Sequence, residues 1–212
     1  MFWDNNNNNI TNVVDKYLNW KGASDTWYFV EYNKEKWEEE KYELEDFILI
    51  RKCYSIRWWS DIQKKPIYSN KIDRFDEILT IKSWEILINK WIYSDVKWDL
   101  WGGKLHLHLI WLSNWIVIDI AFKWLAFFKV WEVIKNMDTN INKLTFNGAE
   151  SWQKGVVKFK TPLFIPWKEI GIDENKLALE IVKTIKNNKK NSNIKEIEKE
   201  EEEEISIEEV PF

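Results

Sequence analysis

A chain of 212 residues, 45% hydrophobic and 31% charged, is enough for one folded domain with tails and too short for several. The net charge of −4 belongs to a tail: residues 195–212 hold nine Glu and two Lys, which leaves a body of 29 basic and 26 acidic residues. A near-neutral body with three Arg excludes a dedicated nucleic-acid binder, which needs many phosphate contacts, and leaves nucleic acid at most a peripheral partner.

Tryptophan occurs 16 times, against 11 Phe and 7 Tyr. The rest of the chain has the bias of an AT-rich gene: 28 Lys to 3 Arg, 27 Ile to 15 Leu, 20 Asn and 5 Ala. Such a gene is poor in the standard tryptophan codon, so the composition predicts that UGA is read as tryptophan, as in mollicutes and many mitochondria. A nucleotide sequence with UGG at most of these positions would overturn that expectation. The expected setting is intracellular, in a mollicute cytoplasm or a mitochondrial matrix. The start, Met1-Phe2-Trp3-Asp4 and then five Asn, has no basic region and no apolar run, so no secretory signal is expected.

The expected organisation is a low-complexity stretch over 1–10, one β-rich domain over 11–190 and an acidic disordered tail over 191–212. Thr11 is placed to cap a short helix over 12–20 with Val13, Val14, Tyr17 and Leu18 on one face, ended by Gly22. Asp25 to Tyr32 alternates as a strand. Residues 33–46 are dense in charge and read as a hairpin tip or a solvated strand, with a short exposed helix as the competing reading. Phe47 to Trp59 is a strong strand, and Lys64-Lys65-Pro66 marks a break. Glu77 to Tyr93 is mainly β by composition, though its imperfect alternation leaves a helical alternative.

Val96 to Leu100, then Gly102-Gly103, then Leu105 to Leu109 has the pattern of a hairpin whose glycines supply positive φ. Counted outward from that turn, Leu100 faces Leu105, Trp98 faces Leu107 and Val96 faces Leu109. Asp99 faces His106 and Lys97 faces His108 on the other side. A second turn at Ser113-Asn114 puts Leu109 opposite Ile118 and His108 opposite Asp119, which extends the pattern to a three-stranded meander over 95–124. A helix beginning at Ser113 competes, but Ile116-Val-Ile-Asp-Ile favours a strand. Leu125 to Ile134 is open between strand and helix. The apolar run over 105–134 is broken by six charged or histidine residues, so no transmembrane span is expected.

Residues 143–146 and 156–160 read as a second hairpin, after which Pro162 and Pro166 break the sheet. Asp173 caps a helix with Leu177, Ile181, Val182 and Ile185 as its apolar face and lysines at its C-terminal end. The fold class is thus α+β and mainly antiparallel, a meander or partly closed barrel flanked by an N-terminal and a C-terminal helix.

His106 and His108 are the only histidines. H-x-H on a strand puts both rings on one face, with Asp99 and Asp119 as neighbours. Two His and a carboxylate are the donor set of a facial-triad or zinc site, so His106, His108 and Asp119 are the candidate metal ligands. The competing reading is the polar face of a sheet. No cofactor is otherwise expected, a divalent metal being the one alternative. The one cysteine, Cys53, excludes an intrachain disulfide and reads as a buried strand residue. No serine stands in a recognisable nucleophile elbow or S-x-x-K context, and no glycine-rich phosphate loop is present.

The leading functional expectation is a non-enzymatic structural or interaction protein, a subunit or accessory of a larger assembly with a protein partner. A barrel or helix-grip binder of an apolar ligand is the second reading, and a metalloenzyme using the H-x-H pair is the third. Sixteen indoles exceed what one sheet layer can bury. Trp98 is expected on the apolar side of the meander, Trp101 and Trp111 near its ends or on the other side, with several indoles left for a partner to cover.

Overall fold

The computed structural model describes residues 13–22, 27–33, 36, 38–43, 46–62, 64–83, 86–96, 105–135, 143–166 and 170–189. Eleven strands form one sheet: β1 (Lys16–Gly22), β2 (Trp27–Asn33), β3 (Glu38–Tyr42), β4 (Phe47–Ser60), β5 (Lys65–Ser69), β6 (Ile78–Ser83), β7 (Ile86–Ile92), β8 (Leu105–Ser113), β9 (Ile116–Lys123), β10 (Lys143–Lys154) and β11 (Val157–Pro166). Among the described residues three helices accompany them: α1 (Tyr93–Val96), α2 (Trp124–Ile134) and α3 over 172–189.

The strand order is β3-β2-β1-β9-β8-β4-β5-β6-β7, with β10 joining β4 at Phe47 and Ile48 and β11 pairing β10. The sheet is mixed, because β1 runs parallel to β9 while the other described pairs are antiparallel. It is an open sheet with ends at β3 and β7, so the partly closed barrel is corrected. A rich β composition fixes strands, but closure needs the two end strands to pair, and among the described strands β3 pairs only β2 and β7 only β6.

Residues 16–22 are the clearest correction: the expected N-terminal helix is strand β1. Pairing with β2 and β9 decides it, and it buries Leu18 and Trp20 on one face while Lys16, Tyr17, Asn19 and Lys21 are more exposed. The parallel pair is held at its start by Asp15, whose amide donates to the Val117 carbonyl at 2.8 Å while its carboxylate accepts from the Val117 amide at 2.7 Å.

The strands expected around Trp27, over 47–59 and over 77–93 are present, the last as the hairpin β6–β7. The charged run includes strand β3. The break at Lys64 is a turn with positive φ (52°), and Pro66 belongs to a strand, β5, that the sequence reading missed.

The first hairpin of the expected meander is corrected. Val96 ends α1, and from His106 to Leu109 the two edges of β8 are occupied by β4 and β9. Trp98, Leu100 and the Gly102-Gly103 turn lie outside the described residues. The second hairpin, β8–β9, is present, but its turn is Asn114-Trp115, both at positive φ (47° and 65°) as a two-residue type I′ turn needs. Leu109 therefore faces Ile120 and His108 faces Ala121, two residues from the expected partners. Slipping by two keeps every side chain on its expected face.

Residues 124–134 are helical, which settles the open choice there. Pro162 and Pro166 do not break the sheet but lie in β11, opposite Ala149 and Leu144. Among the described strands β11 pairs only with β10, so an edge position tolerates the missing N–H groups. In α3 the cap is Gly171 rather than Asp173: the Asn175 amide donates to its carbonyl at 2.9 Å, and Glu174 reaches back to its amide at 3.2 Å.

The two faces of the central strands build separate cores. Leu18, Trp20, Phe29, Phe47, Leu49, Leu107, Leu109, Trp111, Ile118, Ile120 and Phe122 form an aromatic-rich core, covered by Phe127, Val130 and Ile134 of α2 and by Leu144 and Phe164 of β10 and β11. Trp111 is fully buried there, not near an edge as expected, because the register slip and the packing of Phe47 and Phe164 enclose it. Ile48, Ile50, Cys53, Ile110, Leu112 and Val117 lie on the opposite face under Ala178, Ile181 and Ile185 of α3. Trp27, Trp59, Trp115 and Trp131 stay exposed, as the excess of indoles led one to expect. Among the described residues no helix is long and apolar enough to cross a membrane.

Candidate functional site

The face under α3 changes character along β8. Leu112 and Ile110 are covered by the helix; His108 and His106, further along the same face, lie in a polar half. Strand pairing brings β4 to one side and β9 to the other. Cys53 faces His108, Ser55 faces His106, and Asp119 lies diagonal to His108 across β9.

Four side chains from four segments form a connected chain. His108 Nδ1 lies 3.0 Å from Asp119 Oδ1, and His108 Nε2 lies 2.8 Å from Ser55 Oγ. The other oxygen of Asp119 accepts a short hydrogen bond from Lys71 Nζ. Lys71 arrives on the β5–β6 connection, which runs beside β4 through reciprocal Tyr54–Ile72 backbone bonds of 2.7 and 2.8 Å. That pairing turns Ile72 into the aromatic core and leaves Lys71 and Asp73 on the α3 side. Asn70 anchors the connection by accepting from the Thr80 amide at 2.9 Å.

The electrostatics fix the protons. Burial alone would raise the Asp119 carboxyl, but Lys71 and then His108 outweigh it and hold the group well below its ordinary range. Burial alone would lower the Lys71 ammonium, but Asp119 outweighs it and the group is raised. Burial lowers His108 despite the opposing pull of Asp119, so the ring is neutral at neutral pH. A carboxylate can only accept, so His108 Nδ1 carries the proton and donates to Asp119. Nε2 is then the acceptor, and Ser55 Oγ donates to it. Burial, followed by His108, pushes His106 down to about 3. Burial raises the Cys53 thiol to about 12, so it is inert as a nucleophile and stands as the buried strand residue expected. Tyr17, opposite Asp119 on β1, has a buried hydroxyl with no hydrogen-bond partner among the described residues.

The three expected metal ligands thus share one face, and His108 and Asp119 are in contact. His106 is set apart, its ring centroid 6.3 Å from that of His108. Among the described residues no group of three or more His, Cys, Asp or Glu is arranged to hold a metal ion. A metal at these ligands has to displace the Lys71 ammonium and release His108 from Ser55. Asp99 lies outside the described residues. Ser55 and Lys71 were not singled out from sequence. Alternation puts Ser55 on one face with Cys53, but nothing local says that β4 pairs β8.

Two further features bear on function. A cleft of about 470 Å³ lies at the far end of the same strands, lined by Asp46, Ile48, Trp115, Lys143 and Glu174 among others. Its lysine and glutamate already pair at 3.3 Å. At the sheet's end, β7 carries Ile86, Leu87, Ile88 and Ile92, each 41–66% exposed. Comparison with protein-family models, with curated proteins and with solved structures returns no match.

Proposed function

We propose that this chain is an interaction protein, a subunit or accessory of a larger assembly, and that it receives an extended apolar segment of a partner protein along β7. The observation that carries this is the contrast among the edges of the sheet that no other described strand pairs. Edge strand β3 reads Glu-Glu-Glu-Lys-Tyr, and edge strand β11 carries two prolines. Both are devices that discourage strand addition. Edge strand β7 reads Ile-Leu-Ile-Asn-Lys-Trp-Ile, with Lys90 as its one charge and a bulge at Ile88 as its one irregularity. The lysine and the bulge are devices of the same kind, but β7 still presents four exposed aliphatic side chains where β3 presents three glutamates. Strand addition supplies main-chain hydrogen bonds and pockets for alternate side chains. Covering each exposed aliphatic side chain is worth roughly 1.5–3 kcal/mol at full burial.

The test is amide hydrogen exchange on β7, in the isolated chain and in the assembly recovered from its native source. Exchange at least tenfold slower in the assembly is the expected result. A double variant, Ile86→Asp with Ile88→Asp, should lose the partner while keeping the thermal transition of the parent. Equal exchange in both preparations, or retention of the partner by the variant, overturns the reading. The UGA code proposed for the gene stands or falls separately, on its nucleotide sequence.

A further inference from the structure

The geometry points to Ser55 as a nucleophile for acyl transfer, with His108 as its general base and Asp119 as the positioning residue, acting on small esters. This goes beyond the interaction role and rests on a different part of the molecule.

The first ground is connectivity. A nucleophile needs a base within hydrogen-bond reach, and the base needs a third group that fixes its tautomer and orientation. Ser55 Oγ, His108 and Asp119 meet that requirement at 2.8 and 3.0 Å, on three adjacent strands that hold them rigidly. Lys71 keeps Asp119 ionised, which keeps Nδ1 protonated and Nε2 free to take the Ser55 proton.

The second ground is a contrast with the other buried serines. Ser69 Oγ accepts from the Ile56 amide at 2.9 Å and donates to the Asn70 carbonyl at 2.7 Å. Ser83 Oγ donates to the Pro66 carbonyl at 3.1 Å, and Ser113 Oγ to the Asp46 carbonyl at 3.0 Å. Those three tie backbone to backbone. Ser55 alone among them bonds an imidazole nitrogen.

The chemistry balances without a cofactor. Ser55 Oγ attacks the acyl carbon as its proton passes to His108 Nε2. The bond to the leaving alkoxide breaks, and His108 returns the proton to it as alcohol. Water then gives a proton to His108 and its oxygen to the acyl carbon. The acid departs, and Ser55 recovers its proton. The net change is ester plus water to acid plus alcohol.

The experiment is labelling of the full-length protein with a small alkyl fluorophosphonate, read by intact mass and peptide mapping. One adduct per chain on Ser55 is expected, and none in Ser55→Ala, whose unchanged melting temperature shows that the fold survives. His108→Gln should slow labelling at least 100-fold. Asp119→Asn separates positioning from a structural role. Asp119 raises the His108 pKa, so its loss should move the acid limb of the rate–pH profile to lower pH. The wild-type protein should turn over p-nitrophenyl acetate, and Ser55→Ala should not. No adduct, an adduct elsewhere, labelling of Ser55→Ala, or an unmoved acid limb overturns the assignment. Equal turnover by the parent and Ser55→Ala overturns it as well.

Discussion

The two faces of β4, β8 and β9 are built on opposite principles. On one, Leu107, Leu109 and Trp111 meet Phe29, Phe47 and Phe122 in a core held by shape. On the other, one residue over on each strand, His106, His108, Ser55 and Asp119 share a half-face with Lys71. Dispersion and water exclusion hold the first, and they tolerate no void. Paired charges hold the second, and they tolerate no missing partner. A face that only needed to be covered would have continued the aliphatic pattern of Ile110 and Leu112. The polar half departs from that pattern, and such departures concentrate at functional sites.

The sharpest way to break the comparison is truncation on each face. Trp111→Ala should cost about 3–5 kcal/mol, through lost contacts and a cavity among Phe29, Phe47 and Phe164. Asp119→Ala should cost a similar amount, about 3–5 kcal/mol, for another reason: Lys71 and His108 are left without the carboxylate. The two costs separate on repair. Asp119→Leu combined with Lys71→Met should restore most of the loss in urea unfolding. No second-site charge change should help Trp111→Ala. If the double variant is as unstable as Asp119→Ala, the polar half is not organised around that pair.

Next in size is Gly22, where β1 meets β11 over the aromatic face. A Cβ there would lie 2.1 Å from the Lys160 carbonyl oxygen and 2.7 Å from Trp20 Nε1, which donates to that same carbonyl at 3.0 Å. Gly22→Ala should cost about 1–3 kcal/mol by thermal melting and change the Trp20 emission, since backbone has to move. An unchanged melt would mean that the strand crossing is loose.

Acid should act on the polar face first. His106 is held down to about 3, below the ordinary 6.5, and His108 is lowered as well. Both are neutral in the fold, while the unfolded chain takes up protons below pH 6.5. Stability should therefore fall as pH drops from about 6.5 towards 3 and be flat above that window. The Asp119 carboxyl, held below its ordinary 3.8, adds its own loss as pH falls below that value. His106→Gln should flatten the limb between pH 6.5 and 3 in urea titrations. Trp111→Phe should move the whole curve without changing its slope.

The smallest effect concerns the turn that sets the register for both faces. Trp115 is at positive φ (65°) and two-thirds exposed. Trp115→Gly should stabilise by about 0.5–1 kcal/mol, by relieving a conformation that L side chains resist. A loss of stability instead would show that the indole packs in the adjoining cleft.

Much of this was legible in the chain. The period-two alternation of Leu105 to Leu109 and Ile116 to Ile120 assigned His106, His108 and Asp119 to one face, and it stayed right when the turn moved by one residue. The even slip preserved parity. What failed, failed where a local pattern had two readings. Val13, Val14, Tyr17 and Leu18 suit a helical face as well as a strand, and only pairing with β2 and β9 selects the strand. The same limit hid the site. Ser55 lies 53 residues from His108, and Lys71 lies 48 from Asp119.

The sequence by itself determined which side chains share a face, because Cβ direction alternates along any strand whatever its partner. It also determined that a large aromatic core exists and that indoles exceed it, because volume and composition do not depend on topology. Only the tertiary structure decided that β4 and β9 take both edges of β8, that β1 enters parallel, and that the β5–β6 connection delivers Lys71 to Asp119. Those are choices among pairings of similar local strength. They are settled by which arrangement buries the aromatic face and pairs Lys71 with Asp119 and Arg51 with Asp73 on the other.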